Sequence, residues 1–170
     1  YSNSQPVRLV GNLPYNVATP ILFHLLKFKD QIYEWYIMIQ KEVADRLIAT
    51  PGHKAYSRLS VMMQYHCHIE QLFKVPPGAF LPPPKVDSTV VKITPWEKLP
   101  FKVNNENLFS KIVKYAFNQR RKQIINSLSI LNIQVDQLAQ CGINPKARAE
   151  ELTVFDYVTL TNFCEAHLSK

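Results

Sequence analysis

The sequence predicts an α/β layer followed by a small all-α domain, and three observations carry that reading. Short apolar runs alternate with helix-patterned stretches from Val7 to about Ala49, the order that builds parallel strands with helical crossovers. Two further β-like runs, Ile69 to Val75 and Val86 to Thr94, are joined by a connection holding five prolines. Beyond Pro95-Trp96-Glu97-Lys98-Leu99-Pro100 the apolar period changes to that of a helix, so this hexapeptide reads as the boundary, with 1–95 as one domain, 96–100 as linker and 101–170 as the second.

Val7-Arg8-Leu9-Val10 is a short β run that ends in Gly11-Asn12-Leu13-Pro14-Tyr15. A glycine, an asparagine and a proline after such a run predict a strand closing into a stiff turn, because proline fixes φ and has no N–H to satisfy. Thr19-Pro20 then opens a helix, with Thr19 as N-cap and Pro20 in the first helical position, and Ile21, Leu22, Leu25 and Leu26 form its apolar stripe. Trp35 to Ile39 is a continuous apolar run, which predicts a buried parallel strand. Lys41 to Ala49 is patterned as a helix with Val43, Ala44, Leu47 and Ile48 inward, and Pro51-Gly52 ends it. A further apolar helix follows Tyr56-Ser57-Arg58-Leu59-Ser60 and runs through Tyr65.

In the second domain Leu108, Phe109, Ile112, Val113, Ala116 and Phe117 line one helix face, and Ile124, Ile125 and Leu128 continue on another. Asn118-Gln119-Arg120-Arg121-Lys122 lies between them as an exposed segment, and Cys141-Gly142 resembles a helix stop. Thr153 and Asp156 stand at capping-box spacing ahead of a last helix, with Tyr157, Val158, Thr161 and Cys164 on one side.

Composition narrows the function. The 170 residues carry a net charge of +7, which favours a polyanionic partner, nucleic acid before membrane. The excess is most concentrated in 111–125, where Lys111, Lys114, Arg120, Arg121 and Lys122 occur without an acid. No apolar run reaches the roughly 20 residues that cross a bilayer, and the polar opening Tyr1 to Gln5 resembles no signal peptide. Cys67, Cys141 and Cys164 are far apart and odd in number, the pattern of cytosolic thiols rather than of a disulfide frame. His66-Cys67-His68 has no second His or Cys cluster to complete a zinc set. With glycines only at 11, 52, 78 and 142, the chain holds neither a GxGxxG turn nor a P-loop.

Two stretches suit chemistry on a base amine. An amide and free carbonyls at Asn12 and Pro14 can accept both hydrogens of an exocyclic amine, and Tyr15 offers a ring for stacking. Taken alone, this word also describes an ordinary β-turn. The second stretch is Phe80-Leu81-Pro82-Pro83-Pro84-Lys85-Val86-Asp87-Ser88, whose prolines preorganise an extended loop. From physics alone Phe80 is as well read as a buried plug as an aromatic wall.

Together these words resemble the bacterial ribosomal-RNA adenine dimethyltransferases of the kasugamycin-sensitivity type. The resemblance runs from Val10 to about Asn162. It takes in Asn12-Leu13-Pro14-Tyr15, Gln40-Lys41-Glu42-Val43, Lys54-Ala55-Tyr56 and the Phe80 to Ser88 stretch, then Ala116-Phe117-Asn118-Gln119-Arg120-Arg121-Lys122, Ile143-Asn144-Pro145 and Arg148-Ala149-Glu150. It implies a Rossmann-like methyltransferase domain, S-adenosylmethionine as donor with no metal, and a small helical domain that grips RNA. The implied partner is the small ribosomal subunit in the cytoplasm, and the implied substrate two adjacent adenosines near the 3′ end of its 16S RNA. In that family pattern Asn12 meets both donor and target amine, the Pro14 carbonyl is the second acceptor, Tyr15 and Phe80 flank the extruded base, and Arg120, Arg121, Lys122 and Arg148 meet phosphates.

The family carries a glycine-rich donor loop, an acidic ribose-binding residue and several strands ahead of the turn, whereas eleven residues precede Asn12. The expectation is therefore the C-terminal part of a longer enzyme, inactive as a 170-residue polypeptide. Two rival readings remain at this stage: a resistance-type methyltransferase of large-subunit RNA, and a non-catalytic ribosome-assembly factor that binds RNA.

Overall fold

The computed structural model describes residues 6–168; the polar opening segment read against a signal peptide lies outside that range. Two compact units emerge. One takes in the chain as far as Ala49 together with His66–Lys98, and the other Thr50–Tyr65 with Leu99 onward.

The first unit is a four-stranded mixed sheet with helices. Strands β1 (Val7–Asn12), β2 (Ile32–Gln40), β3 (Cys67–Val75) and β4 (Ser88–Pro95) lie in the order β1-β2-β4-β3. β1 runs parallel to β2, and β4 runs antiparallel to both β2 and β3. The parallel pair needs a crossover, supplied by helix α1 (Ala18–Leu25). The antiparallel β3 and β4 are joined by the proline-rich connection, and an irregularity between Gln71 and Phe73 breaks their register, as a bulge does where one strand carries an extra residue.

Burial along β2 departs from the expectation for a strand covered on both faces. Trp35, Ile37 and Ile39 are fully buried, whereas Tyr36 and Met38 are half-exposed. Side chains alternate across a sheet, and helix α2 (Lys41–Ile48), which packs on β2, β3 and β4, buries only Val43, Ala44 and Leu47. Ile48, expected to face inward, is exposed. The half-open face carries a charged cluster instead: Glu34 accepts from Arg8 at 2.9 Å and from Lys92 at 2.9 Å. The hydrogen bond from Lys92, ahead of that from Arg8, holds the Glu34 carboxyl below its usual range.

Helix α1 starts two residues earlier than its sequence suggests. Val17 is the N-cap and bonds nothing through its side chain, so Thr19 and Pro20 lie inside the first turn. The first helical bond comes from Ile21 N–H to the Val17 carbonyl at 3.1 Å. Pro20 thus takes the last position at which a missing N–H costs no hydrogen bond.

The second unit is helical. It comprises α3 (Arg58–His66), α4 (Glu106–Asn118), α5 (Ile124–Leu128), α6 (Val135–Gln140) and α7 (Val154–Leu168), with the last residue of α3 assigned to the sheet unit. Residues 50–65 therefore belong with the helices, not with the sheet as the boundary at 95 implied. The reason is an aromatic core: Tyr65 packs on Phe109 at 4.5 Å between centroids, Tyr56 on Phe117 at 6.2 Å, and Phe117 on Tyr157 at 6.1 Å. Gly142, at φ +72°, follows the end of α6, the left-handed position that favours glycine.

Candidate active site

The turn after β1 is built by two backbone bonds. Leu13 N–H donates to the Met38 carbonyl at 3.0 Å, which fastens the turn to the end of β2, and Val17 N–H donates to the Pro14 carbonyl at 3.2 Å. Asn12, the last residue of β1, lies level with Met38 and is exposed. On the other side of β2, Lys41 N–H donates to the Asp87 carbonyl at 2.9 Å, and Ser88 pairs with Gln40. The carboxyl ends of β1 and β2 and the start of β4 therefore meet at one end of the sheet, where open α/β sheets present ligand sites.

A shallow cavity of about 350 Å³ lies there, lined by Asn12, Leu13, Pro14, Tyr15, Phe80, Pro82 and Pro84. Both motif stretches contribute to it. A short 3₁₀ turn, Pro77–Ala79, delivers the loop, and Phe80 leaves it in extended conformation with its N–H on the Pro77 carbonyl at 3.1 Å. Phe80 is partly exposed and lines the cavity.

The lining is chemically simple: one amide, carbonyls, prolines and two rings, with Tyr15 the sole titratable side chain among the described residues that form it. Among the described residues the Asn12 amide has no hydrogen-bond partner and faces solvent. The Pro14 carbonyl already accepts from Val17, which leaves it one lone pair for a second donor. Sequence reasoning missed Ser88, whose Oγ lies 2.6 Å from the Tyr15 hydroxyl. It was visible only as the last letter of the proline-rich stretch.

The expected RNA-contacting cations separate into two kinds. Arg120, though exposed, is engaged within its own unit: its guanidinium donates to the carbonyls of Lys54 at 2.8 Å and Tyr56 at 3.1 Å and pairs with Glu150 at 3.0 Å. Arg121, Lys122 and Arg148 are exposed, and a β-bridge pairs Gln123, the residue after Lys122, with Arg148. Lys54 and Lys146 are exposed as well, cations that sequence reasoning passed over because they stand alone between uncharged neighbours.

His66 and Cys67 are buried, and burial pushes the Cys67 thiol up to about 12. His68 is exposed and pairs with Glu70 at 3.0 Å. Among the described residues no group of three or more His, Cys, Asp or Glu side chains is arranged to hold a metal ion, and no helix is long and apolar enough to cross a membrane.

The chain is similar to known proteins along most of its length. The curated proteins named ribosomal RNA small subunit methyltransferase A from Salmonella paratyphi B and Salmonella newport are each 49% identical to it over 159 residues, 94% of this chain. The chain spans 58% of the length of those relatives. Among solved structures, a dimethyladenosine transferase from Plasmodium falciparum superposes with a TM-score of 0.73 at 24% identity, over 94% of this chain and 67% of that one. The 23S rRNA methyltransferase ErmE superposes at 0.68 and 21% identity, over 96% and 67%. Both share the Rossmann-like α/β fold with added helices. The family model for ribosomal RNA adenine dimethylase matches residues 1–166, and the chain belongs to that family.

Proposed function

We propose that the natural protein carrying this chain transfers methyl groups from S-adenosylmethionine to the exocyclic amines of two adjacent adenosines near the 3′ end of 16S RNA, on small subunits assembling in the cytoplasm. The observation that supports this best is the cavity shared by Asn12, Pro14, Tyr15 and Phe80, which offers two acceptors and two rings to one base. The names of the Salmonella relatives favour the small subunit over the large one.

The residues suggest how the reaction proceeds. Adenine's amine is a poor nucleophile because its lone pair is delocalised into the ring. The Asn12 amide oxygen and the remaining lone pair of the Pro14 carbonyl accept its two N–H groups and favour a pyramidal nitrogen, with the lone pair freed for attack. S-adenosylmethionine supplies an electrophilic methyl group when bound, and Asn12, exposed at the strand end, is the residue of this chain that would meet it. Tyr15 and Phe80 return part of the few kcal/mol spent in unstacking the base. Among the described residues no carboxylate, thiol or imidazole lines the cavity, and none is needed, since the amine proton becomes acidic once the nitrogen carries positive charge. Positioning does the rest, of order 7–11 kcal/mol in well-oriented systems. Arg121, Lys122 and Arg148 neutralise phosphates and set salt dependence rather than base choice.

The test is methyl incorporation into immature small subunits by the natural full-length protein and its Asn12→Ala variant, with naked large-subunit RNA as the comparison substrate. Incorporation falls at least about 100-fold in the variant, while subunit binding stays within about threefold because phosphate contacts dominate it. Absence of transfer by the unmodified protein overturns the reading in favour of a non-catalytic assembly factor, and preference for large-subunit RNA overturns the choice of substrate.

A further inference from the structure

We infer that Ser88 is a positioning residue for the reaction, fixing the ring of Tyr15 at the angle at which an extruded base stacks; this rests on the reading just given. The two residues come from separate stretches of chain. The Tyr15 hydroxyl and Ser88 Oγ are 2.6 Å apart, at the short end of the range for O–H···O bonds.

The two partners differ in how firmly their backbones are held. Tyr15 lies in a turn, half-exposed, with no strand partner. Ser88 is the first residue of β4, is fully buried, and is paired on both sides, with Gln40 of β2 and Val75 of β3. The preceding carbonyl, of Asp87, is held by Lys41 N–H at 2.9 Å. Ser88 is therefore a fixed point and Tyr15 the part that needs fixing.

The bond sets more than the position of the phenol oxygen. That oxygen lies on the axis through Cβ and the ring, so anchoring it fixes where the ring points. Whichever of the two hydroxyls donates, a hydrogen bond at a phenol oxygen prefers the ring plane, so the direction of Ser88 also biases that plane. The anchored end leaves the ring's sides available to the cavity that Tyr15 lines with Phe80. A base misplaced by a tilted ring loses rate more than affinity, since transfer depends on alignment and binding on many phosphate contacts.

The experiment uses the natural full-length protein and immature small subunits, and measures kcat and KM for Ser88→Ala, Tyr15→Phe, the double variant and Ser88→Thr. Tyr15→Phe keeps the ring and removes only the hydroxyl. Ser88→Ala and Tyr15→Phe are each expected to lower kcat about tenfold with KM within about twofold. The double variant should be no worse than either single one, and Ser88→Thr, which keeps the hydroxyl, should recover activity to within about threefold. A purely structural role would move thermal stability without this split between kcat and KM. If Ser88→Ala fails to fold, Tyr15→Phe decides, because it leaves the strand untouched. A kcat within about twofold of the unmodified protein for Tyr15→Phe, or losses that add in the double variant, overturns the inference. An unmodified protein that transfers no methyl group overturns the underlying reading instead.

Discussion

Arg120 and Arg121 are neighbours in sequence and differ in what they touch. Both are exposed, but Arg120 holds the carbonyls of Lys54 and Tyr56 and the Glu150 carboxylate. Arg120→Ala is expected to cost about 1–2 kcal/mol of stability, at the modest end for charge-assisted bonds because the ion pair is partly solvated. Arg121→Ala should leave stability within about 0.5 kcal/mol and lower the salt slope of RNA binding by about one. Urea unfolding and a salt titration of subunit binding separate the two. In sequence all five cations of 111–125 form one acid-free window, and nothing in that window marks Arg120 as the one bonded to Lys54, Tyr56 and Glu150. Glu150 lies 30 residues away, beyond any local periodicity. The Tyr15–Ser88 bond is hidden for the same reason, since its partners are 73 residues apart. What is legible at this scale is the set of residues around the cavity, because each belongs to a short word with its own turn or proline chemistry.

At the scale of elements, local signals are the readable ones. The start of α7 is an example: Thr153 Oγ1 accepts from Asp156 N–H at 3.1 Å, while the Asp156 carboxylate accepts from Thr153 N–H at 2.8 Å. This reciprocal box is what the spacing in the sequence predicts. Asp156→Ala is expected to lower stability by about 0.5–2 kcal/mol, read as a lower urea midpoint with unchanged slope. Strand β2 shows where local reading stops. Its apolar run identifies a strand, yet only the tertiary arrangement decides that Trp35, Ile37 and Ile39 are covered while Tyr36 and Met38 stay partly open. Likewise α3 is legible as a helix, but its membership of the helical unit rests on Tyr56 and Tyr65 meeting Phe109 and Phe117. Side-chain contacts across 40 or more residues leave no periodic trace.

For the whole molecule, the buried acids that stay neutral in the fold predict a one-sided response to pH. Burial pushes the Cys67 thiol up to about 12 and the Cys164 thiol to about 11. Burial likewise raises the phenols of Tyr56, Tyr65 and Tyr157. Each of these groups keeps its proton longer when folded than when unfolded. Below the unfolded values, near 8.5 for thiols and 10 for phenols, both states are protonated and the groups add no pH dependence. Above them the unfolded chain has released protons that the folded chain still binds, so stability falls as pH rises, by up to about 1.4 kcal/mol per pH unit for each such group. Urea unfolding should therefore be flat in this contribution up to about pH 8.5 and steepen above pH 10, most in the helical unit, which holds all three tyrosines and Cys164. Tyr56 provides the control. Its ring is fully buried and its hydroxyl has no hydrogen-bond partner among the described residues, so Tyr56→Phe removes a titrating group without breaking a bond. The variant should match or exceed the parent at pH 8, since an unpartnered buried hydroxyl costs stability. Above pH 10 its decline should be shallower by up to about 1.4 kcal/mol per pH unit. An alkaline slope identical in the two proteins would mean that the Tyr56 phenol ionises as readily folded as unfolded, contrary to its burial.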